Sequence, residues 1–82
     1  MTIEFEITQE NIERGMLGDC SHCPVALALR RKFPEGKIRV RPFGTNIGPK
    51  IYKNHSLLTA FIYAFDDGLK VQPGTHTLEE LP

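Results

Sequence analysis

The sequence predicts one α+β domain in which a small, largely antiparallel sheet carries two to three helices on one face. Its 82 residues are enough for a single domain. Segments with the hydrophobic period of a strand are mixed with segments that have the period of a helix. The order of these segments lacks the regular β–α–β alternation that builds parallel sheets, which favours an α+β arrangement.

The N-terminal segment TIEFEI predicts a strand over residues 2–7, because apolar side chains alternate with Glu4 and Glu6. This strand should bury one face and leave the other acidic.

A short helix over about residues 9–14 is predicted next, with Thr8 as its N-cap. Ile7 and Ile12 are spaced as a hydrophobic staple. Gly15 is expected to end the helix in a left-handed conformation.

The second helix is predicted from Pro24 to about Phe33. A proline in the first turn of a helix loses no hydrogen bond. Val25, Leu29 and Phe33 are four residues apart and should share a buried face. Pro34 ends the helix.

The segment KIRVRPF predicts a strand over residues 37–43, and a turn-rich connection over 44–49 follows it. A short returning strand over 50–53 would complete a hairpin with 37–43.

The last helix is the best-defined predicted element, capped by Asn54 or Ser56 and ended by Gly68. Its apolar face has the spacing of an amphipathic helix: Leu57, Leu58, Phe61, Ile62 and Phe65. Residues 69–82 of this single 1–82 domain are predicted to be an extended tail or edge strand, with strand character near 75–78.

Charge is segregated along the chain although the formal net charge is zero. Residues 1–29 carry a net charge of −4, residues 30–53 carry +7, and residues 54–82 carry −3. Either the acidic ends fold over the basic middle, or the middle faces an acidic or phosphate-rich partner.

The basic middle supplies the candidate binding residues. Alternate residues on a strand are about 6–7 Å apart, near the phosphate repeat of a nucleic acid. Two aromatic residues, Phe43 and Tyr52, could stack on bases. The opposing explanation is that the 2–7 strand pairs with 37–41, so that Glu4 and Glu6 neutralise the cations. The predicted partner-binding set is Arg30, Arg31, Lys32, Lys37, Arg39, Arg41, Lys50, Tyr52 and Lys53.

Cys20 and Cys23 form a second candidate site at the predicted start of the second helix. A helix N-terminus favours a thiolate, which would suit thiol redox chemistry. The pair could also be half of a zinc site, with His55 or His76 or a second subunit completing it. The third explanation is two reduced thiols with no chemistry.

Several function classes are not expected. There is no apolar run of about 18 residues, as a membrane span would need. The segment MTIEFEI lacks a basic n-region, which argues against a secretory signal. Two cysteines then suit a reducing, cytoplasmic setting. No Ser/His/Asp order or close carboxylate pair suggests an enzyme, and His55 is expected to cap or pack rather than catalyse.

Four short segments of the sequence carry a resemblance to a known family. The chain resembles a small family from bacteriophages and bacterial genomes in the segments ITQENIERG, CPVALA, FDDG and VQP. In the first two segments the matching residues are Ile7, Thr8, Ile12, Gly15, Cys23, Pro24, Ala26, Leu27 and Ala28. Its members share I-T-x-x-x-I-x-x-G, C-P-x-A-L-A, F-D-x-G and V-x-P. The resemblance covers most of the chain except 30–55. It implies a phage or mobile-element origin and supplies no catalytic residues.

These features predict a non-enzymatic binding protein of phage type that acts in the host cytoplasm without a cofactor or membrane contact. Its basic hairpin would engage a host protein, a nucleic acid or a nucleotide-type anion, in an anti-defence or host-takeover role. The alternative is a cysteine-dependent protein, either zinc-stabilised or redox-active. A third option is a homo-oligomer with a pocket between subunits.

Overall fold

A computed structural model describes residues 2–81 and confirms the α+β class. The elements, in chain order, are β1 (Thr2–Ile7), α1 (Gln9–Arg14), α2 (Pro24–Lys32), β2 (Ile38–Val40), β3 (Gly44–Ile47), β4 (Lys50–Asn54), α3 (Ser56–Asp66) and β5 (Gly74–Glu80). None of the helices in residues 2–81 has the length and apolar character needed to cross a bilayer.

The strands form one antiparallel sheet in the order β1-β5-β4-β3-β2. The predicted hairpin between 37–43 and 50–53 is wrong, because β3 lies between those two strands. The chain reverses once at residues 41–44 and again at Gly48, whose φ of +59° suits a tight turn. β3 was not predicted, because the glycine and proline residues in and after it made residues 44–49 resemble a turn-rich connection.

The C-terminal strand β5 is internal to the sheet, so the predicted edge strand is a second correction. It pairs with β1 on one side and with β4 on the other. Leu78 faces the core and is fully buried, opposite Ile3 and Asn54. Burial of the Leu78 side chain favours this placement, and backbone pairing on both sides holds the strand in the sheet.

β1 does not pair with residues 37–41. β1 and β2 are the two opposite edges of the sheet. Glu4 and Glu6 therefore cannot form cross-strand ion pairs with Arg39 or Arg41, and the predicted neutralisation by this route does not occur.

The sheet curls around α2, because this one helix packs against both edge strands, β1 and β2. Ile7, Leu29, Leu58 and Leu78 are fully buried in the resulting core. Burial of each such side chain is worth about 1.5–3 kcal/mol relative to exposure. All inward-facing β1 residues are buried, which confirms the alternation predicted for this strand.

The first helix begins as predicted. The Thr8 hydroxyl accepts a hydrogen bond from the Asn11 N–H at 3.2 Å, and Asn11 Oδ1 accepts one from the Thr8 N–H at 2.9 Å. Gly15 is not left-handed, since its φ is −67°. A Cβ there would lie 2.4 Å from Pro24 Cδ, so glycine is needed for a close chain approach.

His55 is the N-cap of α3, where its Nδ1 accepts a hydrogen bond from the Leu57 N–H at 3.2 Å. The prediction of Asn54 or Ser56 is wrong because Asn54 is buried and bonded elsewhere, and Ser56 is already helical. The expectation that His55 caps or packs is confirmed for capping. Gly68 ends α3 with a left-handed φ of +77°, as predicted.

Candidate binding surface

One face of the sheet is not covered by any helix of residues 2–81, and we call it the outer face. All three helices pack on the opposite side, where the buried side chains of the five strands point. The outer face carries alternate strand residues that are exposed or half-buried. They are Thr2, Glu4, Glu6, Arg39, Gly44, Asn46, Ile51, Lys53, Thr75, Thr77 and Glu79.

One half of this face is cationic. Arg39 lies on β2, and Lys37 and Arg41 flank that strand directly before and after it. Lys53 lies on β4. All four side chains are exposed. Within residues 2–81, no carboxylate forms an ion pair with any of the four. We call these four residues the basic half of the outer face.

The geometry of the basic half leaves space for an anion. The Arg41 N–H donates to the Gly44 carbonyl at 2.9 Å, and Gly44 pairs with Lys53. Arg41 and Lys53 are therefore two strands apart, about 10 Å across the sheet. Because Gly44 has no side chain, the surface between the two cations is open.

The other half of the outer face is acidic, with Glu4 and Glu6 on β1 and Glu79 on β5. Glu79 is directly opposite Lys53 in the register. The basic half is therefore bounded by negative charge on this side.

The remaining predicted cations lie elsewhere. Arg31 donates to the Glu6 carbonyl at 2.8 Å and Lys32 donates to the Glu4 carbonyl at 2.6 Å. Since β1 is an edge strand, these contacts satisfy carbonyls that no neighbouring strand reaches. Arg30 is half-buried. Lys50 forms an ion pair with Glu80 at 3.6 Å.

The two aromatic residues have opposite environments. Tyr52 is only 5% exposed and belongs to the core, so its predicted stacking role is wrong. The alternation of β4 points it inward. Phe43 is 69% exposed, and its ring lies 6.0 Å from that of Tyr63 in an edge-on arrangement. It separates two surface grooves, one beside Arg41 and one beside Lys53.

Asn54 holds the turn that presents Arg41 and Phe43, a role that was not predicted from the sequence. Asn54 is 3% exposed. Its Oδ1 accepts from the Thr45 hydroxyl at 2.7 Å, and its Nδ2 donates to the carbonyls of Arg41 at 2.7 Å and Pro42 at 3.1 Å. The sequence signal for this role is that Asn54, a polar residue, occupies an inward-facing position of β4.

A cavity of about 200 Å³ lies where the loop between α1 and α2 meets β2 and α3. Its walls are mainly apolar, and they include Pro24, Val25, Val40, Pro42, Phe61, Ile62 and Phe65. Asp19, Asp66 and both cysteines also line the cavity. The Gly18 N–H donates to Asp66 Oδ1 at 3.2 Å, which ties the loop to α3.

The same loop also protects the second sheet edge, because the Cys20 carbonyl accepts a hydrogen bond from the Val40 N–H at 2.8 Å. Asp19 organises the loop. Its carboxylate accepts from the Ser21 N–H at 2.8 Å and contacts His22 Nδ1 at 3.1 Å, and these bonds lower the pKa of Asp19.

Cys20 and Cys23 are both free thiols beside the cavity. Cys23 is the N-cap of α2 and is buried, and this burial raises the pKa of its thiol above the ordinary value. A raised pKa leaves less thiolate, which disfavours nucleophilic or redox attack. Within residues 2–81, no cluster of three or more His, Cys, Asp or Glu side chains is placed to hold a metal ion.

We expect iodoacetamide at neutral pH to modify Cys20 at least about tenfold faster than Cys23, because Cys23 is buried and has a raised pKa. Mass spectrometry of the two positions over time measures both rates. The variants C20S and C23S assign each rate to one thiol. Faster modification of Cys23 would contradict this description and revive the redox alternative.

Comparison of the chain with protein-family models, with curated proteins and with solved structures finds no match. The proposals that follow therefore depend on the chain's own geometry and charge.

Proposed function

We propose that this protein is a non-enzymatic binding protein whose basic half engages a negatively charged component of a host cell. The observation that carries the proposal is that Lys37, Arg39, Arg41 and Lys53 lie on one uncovered sheet face without ion-pair partners among residues 2–81. Exposed cations in one patch attract anionic partners and speed their association.

Phe43 strengthens this proposal. Phe43 and Ile51, which are 69% and 53% exposed, line one groove together with Arg41. Exposed apolar side chains that share a surface with polar residues around them are typical of an interaction site. A partner that covers Phe43 would gain both apolar burial and contact with Arg41 and Lys53.

The resemblance to phage proteins suggests a host target in the host cytoplasm and an anti-defence or host-takeover role. The redox alternative is disfavoured at Cys23, because burial raises the pKa of its thiol. The homo-oligomer and the zinc-stabilised form stay predictions.

The double variant R39E/R41E should lose partner recovery at least about tenfold, since two attractive contacts become repulsive. The measurement is affinity purification of tagged protein from host cells, with co-purified protein and nucleic acid quantified. The matched control is R14E/K70E, which changes the net charge equally but lies off the outer face.

Far-UV circular dichroism and urea unfolding should show that both double variants are folded. Equal recovery by the wild type and R39E/R41E would overturn the proposed function. A nucleic-acid partner would also show a steep fall in affinity with salt.

A further inference from the structure

We infer that the partner is a protein segment with a bulky apolar side chain beside acidic side chains. The apolar side chain enters the cavity, and the carboxylates contact Arg41, Arg39 and Lys37. This inference depends on the proposed function and names the class of partner.

The cavity and the basic half are neighbours. Arg41 and Pro42 line the cavity, and both also line the groove of the outer face that contains Phe43, Asn46 and Ile51. A segment that crosses Pro42 would therefore contact the cavity on one side and the cations on the other.

The size and lining of the cavity suit a single apolar side chain. An apolar cavity of about 150 Å³ is large enough to bind benzene, and this one measures about 200 Å³. Val25, Val40 and Phe61 are core residues, exposed by 1%, 5% and 8%, yet they border this space. An inserted phenyl or isobutyl group would complete their packing.

The surrounding charges favour a protein over a nucleic acid. The basic half spans three strands, about 10 Å. Glu79 bounds it on the β5 side, and Asp19 and Asp66 line the cavity on the other. Duplex DNA carries one negative charge per about 1.7 Å of axis and would extend onto these carboxylates. A short acidic segment needs only the cations of β2.

An interface of this form has a recognisable energetic pattern. A buried apolar anchor in a pocket supplies most of the affinity, and exposed ion pairs around it contribute less each. Blocking the cavity should therefore weaken binding more than removing any one cation.

The probe is a random dodecapeptide library displayed on yeast and selected against the folded protein at physiological salt. We expect enriched peptides to carry one aromatic or leucine side chain flanked by Asp or Glu. The variant C20W should weaken these peptides about 30-fold by filling the cavity. The matched control is L69W, which places the same bulky side chain at an exposed position outside the cavity lining and should change binding less than about threefold.

R39E/R41E should also weaken the enriched peptides at least about tenfold, and R14E/K70E should not. If C20W fails to fold, wild-type protein alkylated at Cys20 with N-ethylmaleimide takes its place. Enrichment of peptides without acidic residues, enrichment of peptides without an apolar anchor, or no enrichment would overturn the inference.

A single-stranded dT12 probe separates this inference from the proposed function. Anisotropy should show no saturable binding of dT12 at physiological salt. Tight binding of dT12 that R39E/R41E abolishes would overturn the inference and leave the proposed function standing. If R39E/R41E changes neither the peptide binding nor the partner recovery, the proposed function fails too.

Discussion

Replacing Asn54 with alanine should lower the free energy of unfolding by about 2–4 kcal/mol. The Asn54 side chain forms three hydrogen bonds while only 3% exposed. Removing it leaves the buried Thr45 hydroxyl and the partly buried Arg41 carbonyl without these partners. A buried group that loses its partner costs about 1–3 kcal/mol. The Pro42 carbonyl keeps a second donor, the Thr59 hydroxyl at 2.7 Å.

Urea unfolding followed by circular dichroism measures this effect, with Asn46→Ala as the matched control. Asn46 is also an asparagine of the sheet, but its side chain accepts one exposed hydrogen bond from Arg41 at 3.0 Å. The control Asn46→Ala should lower the free energy of unfolding by only about 0.5 kcal/mol. Equal urea midpoints for the two variants would show that Asn54 does not hold the turn.

The Asn54 variant should also weaken partner binding while the protein remains folded. Asn54 fixes the turn that presents Arg41 and Phe43, so the loss of its bonds disturbs the basic half. A domain of 82 residues has a total stability of about 4–12 kcal/mol. Binding must therefore be measured well below the unfolding temperature.

Replacing Gly15 with alanine should lower the free energy of unfolding by about 3 kcal/mol. The new Cβ would lie 2.4 Å from Pro24 Cδ and 2.6 Å from the Pro24 backbone nitrogen. Pro24 begins α2 and is buried, and its rigid ring cannot rotate away. Overpacking at a rigid site costs about 1–3 kcal/mol or more.

Alanine variants at Gly74 and Gly18 serve as controls that distinguish this steric clash from the effect of replacing a glycine on the backbone. Gly74→Ala meets no atom within 4 Å and should change stability by about 0.5 kcal/mol. Gly18→Ala also meets nothing but has a φ of +68°, so it should cost about 1 kcal/mol. A Gly15→Ala variant as stable as Gly74→Ala would refute the close approach of the chain to Pro24.

Local patterns predicted most of the secondary structure. The alternation in β1, the capping residue Thr8 and the amphipathic face of α3 depend on neighbours in sequence, so they could be identified without the fold. β3 was missed because Gly44 and Gly48 resemble a loop. Asn54 and Ser56 were also predicted as caps of α3 because asparagine and serine are common N-cap residues, but His55, which was expected to cap or pack, is the residue that caps it.

The candidate site was predicted only in part. Lys37, Arg39 and Arg41 were expected to share a face, and strand periodicity alone places them there. Tyr52 was expected on the same surface, but the alternation of β4 points it into the core. The cavity could not be predicted, because its walls come from α2, β2, α3 and the preceding loop.

The basic middle third of the chain and its α+β class could both be predicted from the amino-acid sequence. These properties follow from composition and from periods of two and 3.6 residues. Which of these charges share a surface depends on contacts between residues far apart in the chain. Long-range pairing placed β5 between β1 and β4, and so put Glu4 and Glu6 at the edge opposite Arg39. The basic half remains positive because strand order, a property of distant contacts, separates the charges.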